Sequence, residues 1–290
     1  MLLGSVALLL AGAFLAFCWY GSNLVLHPPK MLAMEVFPER FGLAYDKVCF
    51  RAKDGVEIKG WLIPAREPSG GSLLLCHGWG DNKGDLLERL HFLSRRFNLF
   101  LFDSRGHGES GRGLCTLGCL ESMDFDAALR FLKDSKPDWA ARLGLCGLSM
   151  GAAMAVRGMA EHDGAFRCAV LEAPFESIHD VVARFTWSHY RLPCFPTTGC
   201  VMALLRWRLG ADPEPYSPVY HVRRLPPIPL LFIAGERDGL MPEAVVRRLS
   251  EAAPGPKELW VVPEATHGHC QDAAGAEYAR RVEAFFEKHL

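Results

Sequence analysis

The chain has 290 residues and a formal net charge of -1, and 50% of its residues are hydrophobic. This length and composition fit one globular domain with a large core, or one domain together with a membrane segment. Because acidic and basic residues nearly balance, the composition gives no reason to expect a nucleic-acid partner. The cysteines include no C-x-x-C pair, so we expect no structural zinc site and predict no metal.

The N-terminal residues 1–20 carry no charge and consist mainly of Leu, Ala, Phe and Val. About 20 apolar residues can cross a bilayer core of roughly 30 Å as a helix. Trp19 and Tyr20 resemble an interfacial aromatic anchor, and the positive charges that follow favour a cytoplasmic position for the rest of the chain. We expect a single-pass membrane anchor followed by a connector at 21–43. A cleaved signal peptide is the alternative, although no Lys or Arg precedes the apolar stretch and no A-x-A-like site follows it.

After the connector, residues 47–51 and 56–61 alternate in polarity around the turn of Asp54 and Gly55, which predicts a β-hairpin. Continuous apolar runs then alternate with helical patterns, which indicates a mostly parallel sheet covered by helices on both faces. The predicted strands are 72–76, 99–102, 142–146, 168–171, 229–234 and 258–262. The predicted helices include 85–96, 121–133 and an amphipathic helix at the C-terminus.

Residues 176–225 interrupt this alternation and are rich in Trp, Phe, Arg and Pro. A crossover between two strands needs far fewer residues, and long insertions near strand ends often form lids or binding loops. We therefore predict a small helical cap inserted into an α/β domain that covers 44–290. The alternative is an ordinary crossover that packing residues have enlarged.

Residues 147–151 (GLSMG) stand between an apolar run and a helical run. At such a junction a G-x-S-x-G sequence forms a sharp turn that holds the serine hydroxyl above the sheet. Because Ser149 must then adopt a strained backbone, its neighbours Gly147 and Gly151 must be almost free of side-chain atoms. Ser149 is the predicted nucleophile.

A base and an acid follow the serine along the chain. Asp238 comes just after the predicted strand 229–234, and His267 just after 258–262. The carboxyl ends of parallel strands gather at one edge of a sheet, so these side chains should meet Ser149 there. We predict that His267 accepts the serine proton and that Asp238 orients the imidazole. His269 is the competing candidate for the base.

Residues 77–80 (HGWG) directly follow the predicted strand 72–76 and resemble the H-G-x-G loop of esterases and lipases. We predict that the backbone N–H groups of Trp79 and Met150 bind the oxyanion that forms during acyl transfer. His77 and Gly78 lie near this predicted site, with His77 as a hydrogen-bonded loop residue.

From about residue 46 onward the chain resembles α/β-hydrolases of the group that includes monoacylglycerol-lipase-like and serine-aminopeptidase-like proteins. Residues 103–110 (DSRGHGES) match the D-x-R-G-x-G-x-S loop of that group, and 235–238 match the turn that carries its acid. The resemblance implies the α/β-hydrolase fold and a Ser-Asp-His triad without a cofactor. It favours Asp238 over Asp103 as the acid. It also favours His267 as the base, because glycine follows it.

Together these patterns predict a membrane-anchored serine hydrolase that cleaves an ester, thioester or amide through an acyl-enzyme. The aromatic, arginine-bearing cap favours small-molecule or lipid-like acyl substrates. An aminopeptidase-like activity is one alternative, although such enzymes need acidic groups to hold a substrate ammonium and the predicted cap has only a few. A membrane-bound binding module without catalysis is another. The acidic residues of the predicted cap include Glu176, Asp180, Asp212 and Glu214.

Overall fold

A computed structural model describes residues 2–28, 34–67 and 70–290 of the chain. Within them, the strands form one sheet in the order β1-β2-β4-β3-β5-β6-β7-β8. The strands are β1 (Asp46–Arg51), β2 (Glu57–Ile63), β3 (Ser72–Cys76), β4 (Asn98–Phe102), β5 (Leu143–Leu148), β6 (Cys168–Glu172), β7 (Leu230–Gly235) and β8 (Lys257–Val262). The first two form an antiparallel hairpin, β2 is antiparallel to β4, and all other pairs are parallel. The predicted mostly parallel sheet is therefore confirmed.

Helices cover both faces of the sheet. The α-helices of the described residues are α1 (Leu2–Leu26), α2 (Lys83–Leu90), α3 (Glu121–Ser135), α4 (Pro137–Ala141), α5 (Met150–Glu161), α6 (Ile178–Tyr190), α7 (Cys194–Leu209), α8 (Glu243–Ala252), α9 (Cys270–Ala274) and α10 (Ala276–His289). One face carries α3, α5 and α8, and the other carries α2 and α10. Strands β3, β5, β6 and β7 are buried along their whole length, because both of their faces pack against helices.

The predicted helix 85–96 differs from the observed structure at both ends. The side chain of Asn82 accepts hydrogen bonds from the backbone N–H groups of Gly84 and Asp85, and Asp85 accepts one from the Asn82 backbone. This reciprocal cap starts α2 at Lys83. The α-helix ends at Leu90, and a 3₁₀ turn continues over His91–Arg95.

The N-terminal helix extends farther than predicted. Helix α1 ends at Leu26, so residues 21–26 are helical and do not belong to the connector. The Ser22 hydroxyl donates to the backbone oxygen of Trp19, which satisfies this polar group inside the helix. The segment Gly4–Leu26 is long and apolar enough to cross a membrane. Residues 29–33 of the predicted connector lie outside the described residues.

Between β6 and β7, the region predicted as a cap contains helices α6 and α7, followed by short 3₁₀ turns. Helix α1 packs against α7. The rings of Trp19 and Trp207 lie 6.2 Å apart between centroids, and Arg208 donates to the Ser22 hydroxyl over 3.0 Å. The helix predicted as a separate anchor thus packs its second half on the cap and shares an apolar cluster with it.

Candidate active site

Ser149 occupies the sharp turn between β5 and α5. Its backbone has φ 51° and ψ -111°, a strained conformation for a residue with a side chain. The Ser149 N–H donates to the backbone oxygen of Glu172, at the end of the neighbouring strand β6, over 2.8 Å. The turn therefore presents the serine hydroxyl at the edge formed by the carboxyl ends of the parallel strands.

The two glycines of the turn are required by close backbone contacts. A Cβ atom on Gly151 would overlap the carbonyl oxygens of Cys76 and His77, and one on Gly147 would overlap the backbone at Gly151. These obstacles are backbone atoms of a fully buried strand and of the adjoining helix, so they have little freedom to move. Helix α5 can begin this close to the sheet only because these positions lack side chains.

We expect Gly151→Ala to lower the free energy of unfolding by about 3 kcal/mol or more, because its methyl group has no space between α5 and β3. Gly199→Ala in α7 is the matched control. A Cβ atom there meets nothing within 4 Å, so alanine should leave stability unchanged or raise it by up to about 1 kcal/mol. Urea unfolding of both variants measures the difference. Equal stability of the two variants would contradict the steric argument.

His267 and Asp238 meet the serine at this edge. His267 Nε2 lies 3.0 Å from Ser149 Oγ, and His267 Nδ1 lies 2.7 Å from Asp238 Oδ2. The Asp238 side chain is only 1% exposed, whereas that of His267 is 26% exposed. The imidazole thus lies between a buried carboxylate and the serine hydroxyl, an arrangement that allows proton transfer from the hydroxyl to the ring.

The carboxylate of Asp238 is fixed by backbone donors of its own loop. Its Oδ1 atom accepts hydrogen bonds from the N–H groups of Leu240 at 2.9 Å and Met241 at 2.7 Å. The loop follows β7, and the loop with His267 follows β8, its parallel neighbour. Because Oδ1 is held by these two donors, Oδ2 is left to face the imidazole.

The competing candidates lie elsewhere. His269 is 60% exposed and pairs with Asp272, 2.7 Å from Nδ1 to Oδ2. Asp103 is buried, accepts hydrogen bonds from the backbone N–H groups of Lys83 and Glu109, and pairs with the Lys83 ammonium. Within the described residues, no group of three or more His, Cys, Asp or Glu side chains is placed to hold a metal ion.

The predicted oxyanion loop lies beside the serine. A Cβ atom on Gly78 would stand 3.7 Å from Ser149 Cβ, so the backbone before Trp79 approaches the serine closely. Met150 is the first residue of α5, and N–H groups in the first helical turn have no acceptor within the helix. The N-terminal end of α5 also carries the positive end of its dipole, which favours negative charge at this position.

Two buried histidines hold this loop in place. His77 Nε2 accepts from the backbone N–H of Ser104 over 2.9 Å, and His107 Nε2 accepts from that of Gly80 over 3.3 Å. Both rings need a free lone pair on Nε2, so both must be neutral. Burial lowers the pKa of His77, and burial together with the nearby His77 lowers the pKa of His107 to about 4.

Ser149 and His267 line an apolar cavity of about 270 Å³. Its walls come from the oxyanion loop, α6, α7 and the loop after β7, and also from α1. The α1 residues that line it are Phe17, Gly21, Leu24 and Val25. Sequence reasoning missed this contribution, because no local pattern links the start of the chain to an insertion about 160 residues later.

Glu172 is a second residue that sequence reasoning missed. It ends β6 behind the serine turn, and its side chain accepts a hydrogen bond from the Tyr278 hydroxyl over 2.6 Å. Burial raises the pKa of Glu172. The sequence did contain a signal for this residue, because an acidic side chain directly follows the apolar run 168–171. Because its backbone oxygen also accepts a hydrogen bond from the Ser149 N–H, Glu172 links α10 to the turn that carries Ser149.

Comparisons with known proteins agree with this architecture. A family profile described as "Serine aminopeptidase, S33" matches residues 67–203. The uncharacterized protein MT2364 of Mycobacterium tuberculosis is 31% identical over 280 residues, which are 91% of this chain and 86% of that protein. The uncharacterized protein YqkD of Bacillus subtilis is 28% identical and covers 80% of this chain and 76% of its own length. Among solved structures, the Pyrococcus furiosus esterase Pf2001 has a TM-score of 0.75 and 27% identity, over 91% of this chain and 99% of that chain.

The strand order and these likenesses define an α/β hydrolase, and the predicted fold class is confirmed. The chain belongs to the same family as MT2364, and its residues 67–203 match the S33 serine aminopeptidase profile. Its structural likeness to Pf2001 makes it an esterase-like hydrolase.

Proposed function

We propose that this hydrolase cleaves acyl esters through a covalent acyl-enzyme on Ser149. One observation carries the proposal: a continuous line of hydrogen bonds runs from Asp238 through His267 to Ser149, and the last two residues line an apolar cavity. Water that a general base activates can hydrolyse an acyl-enzyme without any further group, so the proposed mechanism requires no cofactor.

In this mechanism the Ser149 oxygen attacks the carbonyl carbon of the ester while His267 Nε2 takes the serine proton. Asp238 stabilises the resulting imidazolium through Nδ1. The carbonyl oxygen becomes negative and accepts hydrogen bonds from the N–H groups of Trp79 and Met150. His267 then gives its proton to the departing alcohol. A water molecule then loses a proton to His267 and attacks the acyl carbonyl. His267 returns this proton to the Ser149 oxygen as the bond to the acyl group breaks and the carboxylic acid leaves.

The lining of the cavity supports esters over peptides with a free amino group. None of the described residues that line it is an Asp or Glu, so no carboxylate is present there to bind a substrate ammonium. The acidic residues of the cap point to other partners: Glu176 pairs with Arg248, and Asp212 pairs with Arg206. We further propose that α1 attaches the enzyme to a membrane, on the basis of its length and apolar composition.

The test uses a fluorophosphonate probe, which modifies activated serines. We expect the purified full-length chain to be labelled at Ser149 and the Ser149→Ala variant to remain unlabelled. Ser250→Ala, a change in helix α8 at a residue that does not line the cavity, should label like the wild type. A panel of acyl esters and aminoacyl amides, read by product release, separates esterase from aminopeptidase activity. A folded wild-type chain that never reacts with the probe would contradict the proposal and favour a binding module.

A further inference from the structure

Helix α1 is part of the wall of the cavity that contains Ser149. Phe17, Gly21, Leu24 and Val25 face this cavity from one side. The Trp79 indole N–H donates to the Val25 backbone oxygen over 3.0 Å, so α1 also contacts the predicted oxyanion loop. A helix that only attached the domain to a membrane would not need either contact.

The length of α1 determines how close the cavity must lie to a membrane. Only residues 4–13 are exposed without interruption, and ten helical residues span about 15 Å. Crossing the apolar core of a bilayer takes about 20 residues, and twenty residues counted from Gly4 end at Asn23. The apolar segment Gly4–Leu26 includes residues that pack on the cap from Phe14 onward, so a membrane that this segment crosses has the cap at its surface.

The exposed side chains on the second half of α1 and on the cap are of the kinds found at a membrane surface. Trp19 and Trp207 are both exposed, Trp207 by 72%, and their rings are neighbours. Phe195, at the start of α7, is 86% exposed. The Arg208 guanidinium lies 4.7 Å from the Trp19 ring and donates hydrogen bonds to the side chains of Ser22 and Asn23. Aromatic rings with a cation beside them are typical of the boundary between lipid and water.

We propose that α1 is both the membrane segment and a wall of the acyl-binding cavity, and that the cavity takes its substrate, an acyl ester lipid, from the bilayer that holds α1. The inference rests on the proposed hydrolase function and names its substrate class. The acyl chain lies against α1, α6 and α7, and its ester group lies at Ser149. The substrate therefore moves from lipid into an apolar cavity without passing through water.

The first test compares two identical substitutions in α1, Gly21→Leu and Gly12→Leu. Gly21 lines the cavity, and a Cβ atom there would lie 3.4 Å from the Val201 side chain, whereas a Cβ atom on Gly12 meets nothing within 4 Å. The full-length chain is reconstituted in phosphatidylcholine vesicles. Methylumbelliferyl oleate in the vesicles and methylumbelliferyl butyrate in solution share one leaving group, so they differ in the acyl chain and in the phase that holds it.

We expect Gly21→Leu to lower the ratio of oleate to butyrate hydrolysis by about tenfold or more, because added atoms occupy space needed by the long chain. Gly12→Leu should leave the ratio as it is in the wild type. Equal ratios for the two variants would overturn the inference. If the variants still hydrolyse the butyrate ester, the proposed hydrolase function holds even then. A wild type that hydrolyses neither ester and does not react with the fluorophosphonate probe would overturn both.

A second measurement does not depend on turnover or on the folding of a cavity variant. Brominated phosphatidylcholine quenches tryptophans that lie within the membrane surface. We expect Trp207→Phe to remove part of this quenching and Trp139→Phe to leave it unchanged, because Trp139 lies in α4 before β5, at the opposite end of the sheet. Equal quenching of wild type and Trp207→Phe would show that the cap does not reach the lipid.

Discussion

His267→Ala is expected to lower kcat for ester hydrolysis by about 10⁶-fold, because the serine hydroxyl then has no base to accept its proton. The base that contacts this hydroxyl is His267, whose Nε2 lies 3.0 Å from Ser149 Oγ. Loss of the imidazole also removes the acid that protonates the departing alcohol. Steady-state hydrolysis of a butyrate ester, with the wild type at equal concentration, measures the effect.

His269→Ala is the matched control for this experiment. It removes an imidazole two residues away that has the same kind of carboxylate partner, Asp272, but is exposed to solvent. We expect its kcat to change by less than about twofold, since surface substitutions away from a site have small effects. Comparable losses in both variants would mean that damage to the loop, and not loss of the base, explains the result.

Asp238→Asn is expected to lower kcat by about 10⁴-fold while the protein remains folded. The N–H groups of Leu240 and Met241 would hold the amide oxygen of asparagine in the place of Oδ1. The amide nitrogen then takes the place of Oδ2 and donates to His267 Nδ1. This forces the imidazole proton onto Nε2, the atom that must accept the proton of Ser149.

The control for this substitution is Asp272→Asn, which alters the other close carboxylate–imidazole pair of the same region. We expect nearly wild-type turnover from it. Thermal unfolding of both variants shows whether either change acts through stability. If Asp238→Asn retained more than about a tenth of wild-type kcat, Asp238 would not orient the base.

The fold could be predicted because the strands leave a strong signal. A parallel sheet that is covered on both faces needs strands of continuous apolar residues, and the runs at 72–76, 168–171 and 229–234 are of this kind. The residues at which helices begin and end were less predictable. The start of α2 depends on the reciprocal hydrogen bonds of Asn82 and Asp85, which a search for apolar periodicity does not detect.

The candidate site could be predicted from the positions of polar residues just beyond these strands. Ser149, Asp238 and His267 each follow an apolar run, and parallel strands bring their carboxyl ends to one edge. Their catalytic roles stay a prediction until the variants are measured. The contribution of α1 could not be predicted, because it depends on packing between residues distant in sequence.

The last turn of α1 is bonded to the globular domain at two carbonyl oxygens. Trp79 donates to that of Val25, and the Cys115 N–H donates to that of Leu26 over 3.0 Å. Carbonyls at a helix end have no partner within the helix, so removing α1 would also strip two loops of acceptors that they now use. A shortened, detergent-free version of the enzyme for crystallisation should therefore be cut between Ala13 and Phe14, and not after Leu26.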